Sequence, residues 1–381
     1  MNTLQPSASR YYRPELDLVR FLAFLLVFFC HTLPAGPKPG SAANPNGLAL
    51  VLYATVNACS FGLSLFFALS AFLICELLLR ERELTGELRV KQFYIRRILR
   101  IWPLYYLGLG IGIAAAFLPG GTPGSAKEIG WYVVFMGAWQ MANRGGIDDP
   151  MFVLWSISIE EQFYLFVPWA VKYFNRKSLY GLCTALILIA NCRLYSFGVE
   201  HASSLHIWAD SFVQFECFAA GLLLCLLLRG KLPQISAWQR AILLVCGSCC
   251  WFFASYRLRI PFSASRANPS SWGLMVGYAL GSVGAIMILV GFLGMDRKRL
   301  PGWAVYLGKI SFGLYAFHEL AAGVVLNGFP NIGSHHVSLF FLKLGIALAL
   351  TVFLASISYH FFETPFLRIK RRHAVIESQP V

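Results

Sequence analysis

Ten stretches of this chain are apolar over the length that a membrane-crossing helix needs: 16–33, 57–79, 101–118, 152–172, 179–196, 209–228, 239–255, 272–293, 306–326 and 338–361. About 20 mainly apolar residues, rising about 1.5 Å each, cross a hydrocarbon core roughly 30 Å thick. Inside lipid every backbone polar group must be satisfied within the protein, and continuous runs of this length do so as helices. The expected fold is all-α, a polytopic integral membrane protein built as a bundle of about ten transmembrane helices. Residues 1–381 are expected to form a single membrane-embedded domain, because no long polar stretch marks an attached soluble one.

Composition agrees that the main solvent is lipid. The chain is 57% hydrophobic and only 13% charged, against roughly 25% charged in soluble domains. Its 32 phenylalanines and 10 tryptophans suit lipid-facing and interfacial surface. A net charge of +14 in a soluble protein would raise the question of nucleic acid. Here the basic residues flank apolar runs, so the partner they imply is the lipid bilayer and no nucleic acid. Most of the 10 cysteines, such as Cys30, Cys59, Cys75, Cys183 and Cys225, lie within apolar runs. Cysteine there acts as a small hydrophobe, so no disulfide framework is implied. Cys246, Cys249 and Cys250 also sit in an apolar run, without the charges that activate thiols.

The distribution of lysine and arginine sets an orientation. Segments 10–13, 80–100, 172–177, 229–240, 296–309 and 368 onward are basic, which places them and both termini in the cytoplasm. The other loops hold scattered charges: Lys38, Lys127, Arg144, Arg257, Arg259 and Arg266. The first apolar run is expected to be a retained span, since it carries Asp17, Arg20 and His31 and no clean cleavage site follows. Residues 131–142 are apolar but too short to cross, and their crossing would invert every later loop. They are expected on the outer face, re-entrant or in the interface. The protein is thus expected to be multi-pass in the cell inner (plasma) membrane.

Ionisable groups inside spans cost roughly 2.5–3.5 kcal/mol each on insertion scales, so they are candidates for function. Arg20 and His31 share nearly one helix face about 16 Å apart, comparable with an extended pantetheine arm. That face suits a phosphate at Arg20 and a thioester at His31. Arg20 equally suits an ion pair with Asp17 at i−3, and His31 an interfacial position. Arg97 and Arg100 are i, i+3 neighbours whose planar forks suit phosphate; positive charge there also fixes topology. In the fourth stretch Ser156, Glu160 and Tyr164 recur at i, i+4, beside a second carboxylate, Glu161. Glu160 lies about 12 Å from the outer end, where it could orient His31 as a carboxylate does in a triad or partner a buried arginine. The ninth stretch carries Ser311, Tyr315 and His318-Glu319, and the last ends in Glu363-Thr364-Pro365, a helix-end charge. The loop pair His335-His336 is expected to be inert. Gly108, Gly110 and Gly112 follow no strand and form no dinucleotide loop.

Taken in order, these motifs resemble the bacterial membrane-bound acyltransferase-3 family, which O-acylates glycans, lipopolysaccharides, Nod factors and some antibiotics. The likeness covers essentially the whole chain. It is carried by Asp17, Arg20 and His31; by 66–74 (Phe-Phe-Ala-Leu-Ser-Ala-Phe-Leu-Ile); by Arg97, Arg100 and Pro103; by Trp155-Ser156, Glu160 and Tyr164; by Ser311, Tyr315 and His318; and by Glu363-Thr364-Pro365. Ala71 stands where the family commonly has glycine. The resemblance implies that His31 is catalytic and that Arg20, Arg97 and Arg100 handle the donor. Glu160 is placed with His31 as an orienting carboxylate. Asp17, Ser156, Tyr164, His318 and Glu363 are further candidates. The implied reaction is O-acylation, foremost O-acetylation. The acyl group would move from cytoplasmic acyl-CoA, most simply acetyl-CoA, to a hydroxyl of a cell-surface or exported carbohydrate, free or lipid-linked, with no metal. The chain is expected to be a stand-alone member, without the SGNH hydrolase domain that some members append. It would complete transfer alone or with a separate extracytoplasmic partner. Acceptor contacts are expected in loops 34–56, 119–150, 197–208 and 256–271. The alternative is a transporter or flippase for a glycan or small anion, since buried Arg and Glu also line transport paths. No inverted halves or broken helices are visible in the sequence to favour it. A non-catalytic partner of a separate enzyme is disfavoured by the full set of polar motifs.

Overall fold

The computed structural model describes residues 9–34, 47–117, 126–145, 152–262, 269–328 and 337–377. Lys38, Arg266, His335, His336 and parts of the loops named for the acceptor fall outside them. The described residues form sixteen α-helices in the order α1 (Pro14–Thr32), α2 (Gly47–Ala58), α3 (Gly62–Thr85), α4 (Val90–Ala116), α5 (Ala126–Val133), α6 (Gly137–Arg144), α7 (Trp155–Tyr173), α8 (Arg176–Glu200), α9 (Ser204–Ala209), α10 (Ser211–Leu228), α11 (Ala237–Arg257), α12 (Ser271–Phe292), α13 (Gly302–Lys309), α14 (Ser311–Ala322), α15 (Val337–Ile357) and α16 (Thr364–Arg372). Two short strands, β1 (Ser9–Arg10) and β2 (Ile376–Glu377), pair in parallel and bring the two ends of the chain together.

The architecture is all-α and polytopic, as expected. Among the described residues, seven helical bodies are long and apolar enough to cross a membrane, and α13 with α14 make an eighth if the bent pair is one span. The expected ten is reached only by adding α1 and α7, of 19 residues each. Both are less apolar than the other spans because each carries three charges: Glu15, Asp17 and Arg20 in one, Glu160, Glu161 and Lys172 in the other. The second span also differs from expectation. It continues backward through a single tight turn into α2, making a 39-residue body over 47–85. Residues 131–142 fall into α5 and α6, of eight residues each, about 12 Å apiece and too short to cross. The ninth span is broken where the sequence shows no break: α13 and α14 meet at 78°.

Packing places α1 at the junction of two cores. One gathers α3, α7 and α10 around Phe67, Phe163 and Phe218, with ring centroids 4.7 Å apart for Phe67–Phe218 and 4.5 Å for Phe163–Phe218. The other gathers α1, α14 and α15 around Phe24, Phe28, Leu314 and Phe317. Without a hydrophobic force between helices in lipid, close approach depends on small residues. A Cβ at Gly221 would strike the Ala68 carbonyl, and one at Gly308 the Asp17 carbonyl. These two glycines therefore set α10 against α3 and α13 against α1.

Candidate functional site

Helices α1, α3, α4, α7 and α14 line a partly open cavity that the last helix, α16, also reaches. Seven of the ten candidate site residues line it: Asp17, Arg20, Arg97, Arg100, Ser156, Glu160 and Tyr164. Their separation in the chain, from 17 to 164, is resolved by the fold into one wall. Arg13 and Lys370 add two further cations, so five cations face two carboxylates. Apolar side chains such as Leu63, Phe66 and Leu73 complete the lining. The cavity is suited to a long ligand, strongly anionic at one end and apolar along its length.

The arginines are committed to different degrees. Arg20 forms an ion pair with Asp17, so the pairing allowed by their i, i+3 spacing is made, at the cavity wall. Arg97 makes no hydrogen bond among the described residues, and its buried Nε has no partner. Its guanidinium lies 5.6 Å from the ring centroids of both Phe93 and Tyr164. Among the described residues, Arg100 donates only to the Lys309 carbonyl, at 3.5 Å. Buried donors are normally satisfied, and guanidiniums held without acceptors are placed for an anion. Below them, burial and then nearby Glu76 push the Tyr11 phenol up to about 12, which keeps it a neutral donor at the cavity edge.

Glu160 belongs to this cavity. It lies beside Ser70 and within electrostatic reach of Arg97 and Arg20. Ser70 Oγ is 2.5 Å from the Tyr164 hydroxyl. The neighbouring Glu161 points away and accepts from Trp102 Nε1 at 3.1 Å.

The cavity ends at a pair of hydroxyls. Ser156 Oγ and the Tyr315 hydroxyl are 2.7 Å apart, and the Val153 carbonyl lies 3.1 and 3.2 Å from them; one hydroxyl donates to the other, and the second donates to the carbonyl. Beyond this pair, outside the cavity lining, stands His31. Its Nδ1 is 2.8 Å from His318 Nε2 and 3.1 Å from Glu319 Oε1. His318 is fully buried, and its Nδ1 is 2.6 Å from the Tyr315 carbonyl. A carbonyl only accepts, so His318 Nδ1 carries the proton and Nε2 of the neutral ring offers its lone pair. His31 Nδ1 must then donate to it. That leaves His31 Nε2 unprotonated, as a base or nucleophile requires.

The carboxylate beside His31 is therefore Glu319, not Glu160, and the expected orienting contact from Glu160 is not made. The reason is helical register. Ser156 already stands level with Tyr315, one turn short of His318, and Glu160 lies a further turn away along α7. Among the sequence candidates, His31, His318 and Glu363 do not line the cavity. Glu363 is buried behind it, accepts from Ser358 Oγ at 3.4 Å, and acts electrostatically on Arg100. Glu319, Ser70 and Lys370 were given no role from sequence. Of these, Glu319 had a legible signal, an ionisable residue within an apolar span.

One group among the described residues offers ligand atoms for a metal: His31, His318 and Glu319, all within 4.8 Å of one another. Two nitrogens bound to one tetrahedral zinc at about 2.0–2.1 Å lie roughly 3.3 Å apart. The 2.8 Å between His31 and His318 is the spacing of a shared proton.

Residues 13–360 match the family profile described as the acyltransferase domain, acyltransferase-3. The chain belongs to the acyltransferase-3 family. The match spans the cavity from Arg13 through the His31–His318 pair and stops before Glu363 and Lys370. Among curated proteins, a provisionally named O-acetyltransferase of Staphylococcus aureus (strain COL) is 25% identical over 80% of this chain and 52% of its own length. The peptidoglycan O-acetyltransferase OatA of Listeria monocytogenes is 24% identical over 94% of this chain and 56% of its own. Nodulation protein 10 of Rhizobium leguminosarum bv. viciae is 23% identical over 81% of this chain and 83% of its own. The chain thus spans about half the length of the staphylococcal and listerial relatives that it matches. No solved structure matches this acyltransferase-3 chain.

Proposed function

We propose that this acyltransferase-3 member is an O-acyltransferase, foremost an O-acetyltransferase, of the cell inner membrane with both termini cytoplasmic. It takes the acyl group from cytoplasmic acyl-CoA and delivers it to a hydroxyl of a cell-surface or exported carbohydrate, alone or with a separate extracytoplasmic partner. One observation carries the reading: a basic cavity that ends one hydroxyl pair short of a histidine whose free nitrogen is fixed by its neighbours. Arg20, Arg97 and Arg100 hold the phosphates of the donor, and the pantetheine arm follows the apolar wall toward Ser156 and Tyr315. His31 Nε2 takes the proton of the acceptor hydroxyl as that oxygen bonds to the thioester carbon. The carbon–sulfur bond breaks, and the proton passes to the departing CoA sulfur. In the two-step form His31 Nε2 itself takes the acyl group, releases CoA and passes the acyl group on. His318 and Glu319 support the positive charge that His31 acquires in either route. The peptidoglycan and nodulation relatives favour a carbohydrate acceptor, and no metal is invoked.

A transporter or flippase of a glycan or small anion is the second reading. The 78° break between α13 and α14 favours it, because broken helices build many transport sites. Inverted membrane vesicles separate the two. Labelled acetyl-CoA is supplied to wild type, His31→Ala and Arg97→Ala, and free CoA and label on extractable glycan or lipid are measured. CoA release and label transfer that depend on both residues are expected. Background release in all three, with confirmed expression and native acceptor, would turn the assignment to transport.

A further inference from the structure

The basic tail after the last span reads as a lipid-facing anchor, but the fold divides it. In α16, Arg368, Arg371 and Arg372 are exposed, as residues that meet anionic headgroups should be. Leu367 is buried at 3% exposure. Lys370, three residues on, shares that inward face and lines the cavity. Among the described residues it has no carboxylate partner. The charged groups that act on it most are Arg100, Arg97, Arg20 and Arg96. A lysine folded in among four arginines is self-repelling unless the cavity receives a polyanion.

The segment carrying Lys370 is also fastened. Arg96 Nη1 donates to the His373 carbonyl at 2.9 Å, and His373 Nδ1 is 2.8 Å from Gln92 Oε1. Both bonds tie it to α4, the helix that carries Arg97 and Arg100. Beyond them Ile376–Glu377 pairs with Ser9–Arg10, and the chain leaving that pair supplies Tyr11, Tyr12 and Arg13 to the same cavity. The two ends of the protein are clasped around one opening.

We propose that the last helix brings Lys370 into the donor site, and that Lys370 binds a phosphate of the CoA donor at the mouth beside the β1–β2 pair. The proposal rests on the acyl-CoA reading above and extends it past residue 360, where the family match stops. A lipid headgroup phosphate carries the same chemistry, so the test separates the two sources.

The full chain is placed in nanodiscs of phosphatidylcholine, and the affinities of acetyl-CoA and of S-acetylpantetheine, which lacks phosphates, are measured. Lys370→Gln is expected to weaken acetyl-CoA about tenfold, the loss of one charge-assisted contact, and to leave S-acetylpantetheine unchanged. Lys370→Arg should recover most of the affinity, and Arg372→Gln should match wild type. Equal acetyl-CoA affinity in wild type and Lys370→Gln overturns the proposal, as does equal weakening of both ligands, which marks a structural role. An effect seen only when phosphatidylglycerol is added assigns Lys370 to lipid and also overturns it. No acetyl-CoA binding by wild type would overturn the acyl-CoA reading itself, and this proposal with it.

Discussion

Tyr315 and Ser156 meet hydroxyl to hydroxyl at 2.7 Å, and this contact divides the basic cavity from His31. Tyr315 also binds His318 through its own carbonyl, so one residue closes the cavity and fixes the histidine pair. The two duties use different atoms, and mutation can separate them.

Tyr315→Phe removes the hydroxyl and keeps the ring and the carbonyl. Ser156 retains the Val153 carbonyl, so the stability cost should be about 1 kcal/mol. If the phenol donates to the thioester oxygen as charge develops there, transfer should fall about 100-fold, the effect of losing one such donor. Acetyl-CoA affinity should hold. Unchanged transfer with confirmed folding would show that the hydroxyl only closes the cavity.

His318 imposes the tautomer of His31 by presenting an acceptor at 2.8 Å. His318→Leu removes that acceptor and should lower transfer about 100-fold, within the usual range for acid–base catalysis. His318→Gln restores an acceptor oxygen and should recover part of the rate. Acetyl-CoA affinity should be unaltered in both. A glutamine variant as inactive as the leucine one would argue against the relay and for packing alone.

The same geometry shows what a sequence makes legible. Spans that do not line the cavity, such as α12 and α15, are unbroken apolar runs and are visible as such. Spans that carry the site are less apparent, because Asp17, Arg20, Glu160 and Glu161 dilute the apolar signal of α1 and α7. Those charges announce a site but not its partners. Glu160 and His31 both looked interior, yet one turn of register sends Glu160 to the cavity and leaves His31 to Glu319. Lys370 was hidden for another reason: among four basic neighbours in a tail, only the phase of α16 distinguishes the one that turns inward.

Gly308 links packing to the site. A Cβ there would strike the Asp17 carbonyl, on the turn that holds Arg20. Gly308→Ala must therefore push α13 from α1, at about 1–3 kcal/mol for an overpacked contact. Thermal unfolding in detergent should show the loss, together with weaker acetyl-CoA binding as Arg20 moves. Gly302, where a Cβ meets nothing within 4 Å, is the control, and its alanine variant should behave as wild type. Equal behaviour of the two variants would mean that the helices relax without disturbing the donor site.

Arg97 is the residue in which binding and stability oppose each other. Its side chain is half-buried, its buried Nε has no partner, and its guanidinium rests on the faces of Phe93 and Tyr164. Cation–π contact offsets about 0.5–2 kcal/mol of the burial cost, while several kcal/mol per buried ion is usual. Arg97→Leu should thus leave the ligand-free protein at least as stable as wild type in thermal unfolding. If acetyl-CoA is the donor, it should raise the melting temperature of the wild type and not that of the variant. A variant that melts well below wild type without ligand would show that Arg97 is held by the fold rather than reserved for an anion. A variant that keeps the acetyl-CoA shift would remove Arg97 from the donor site.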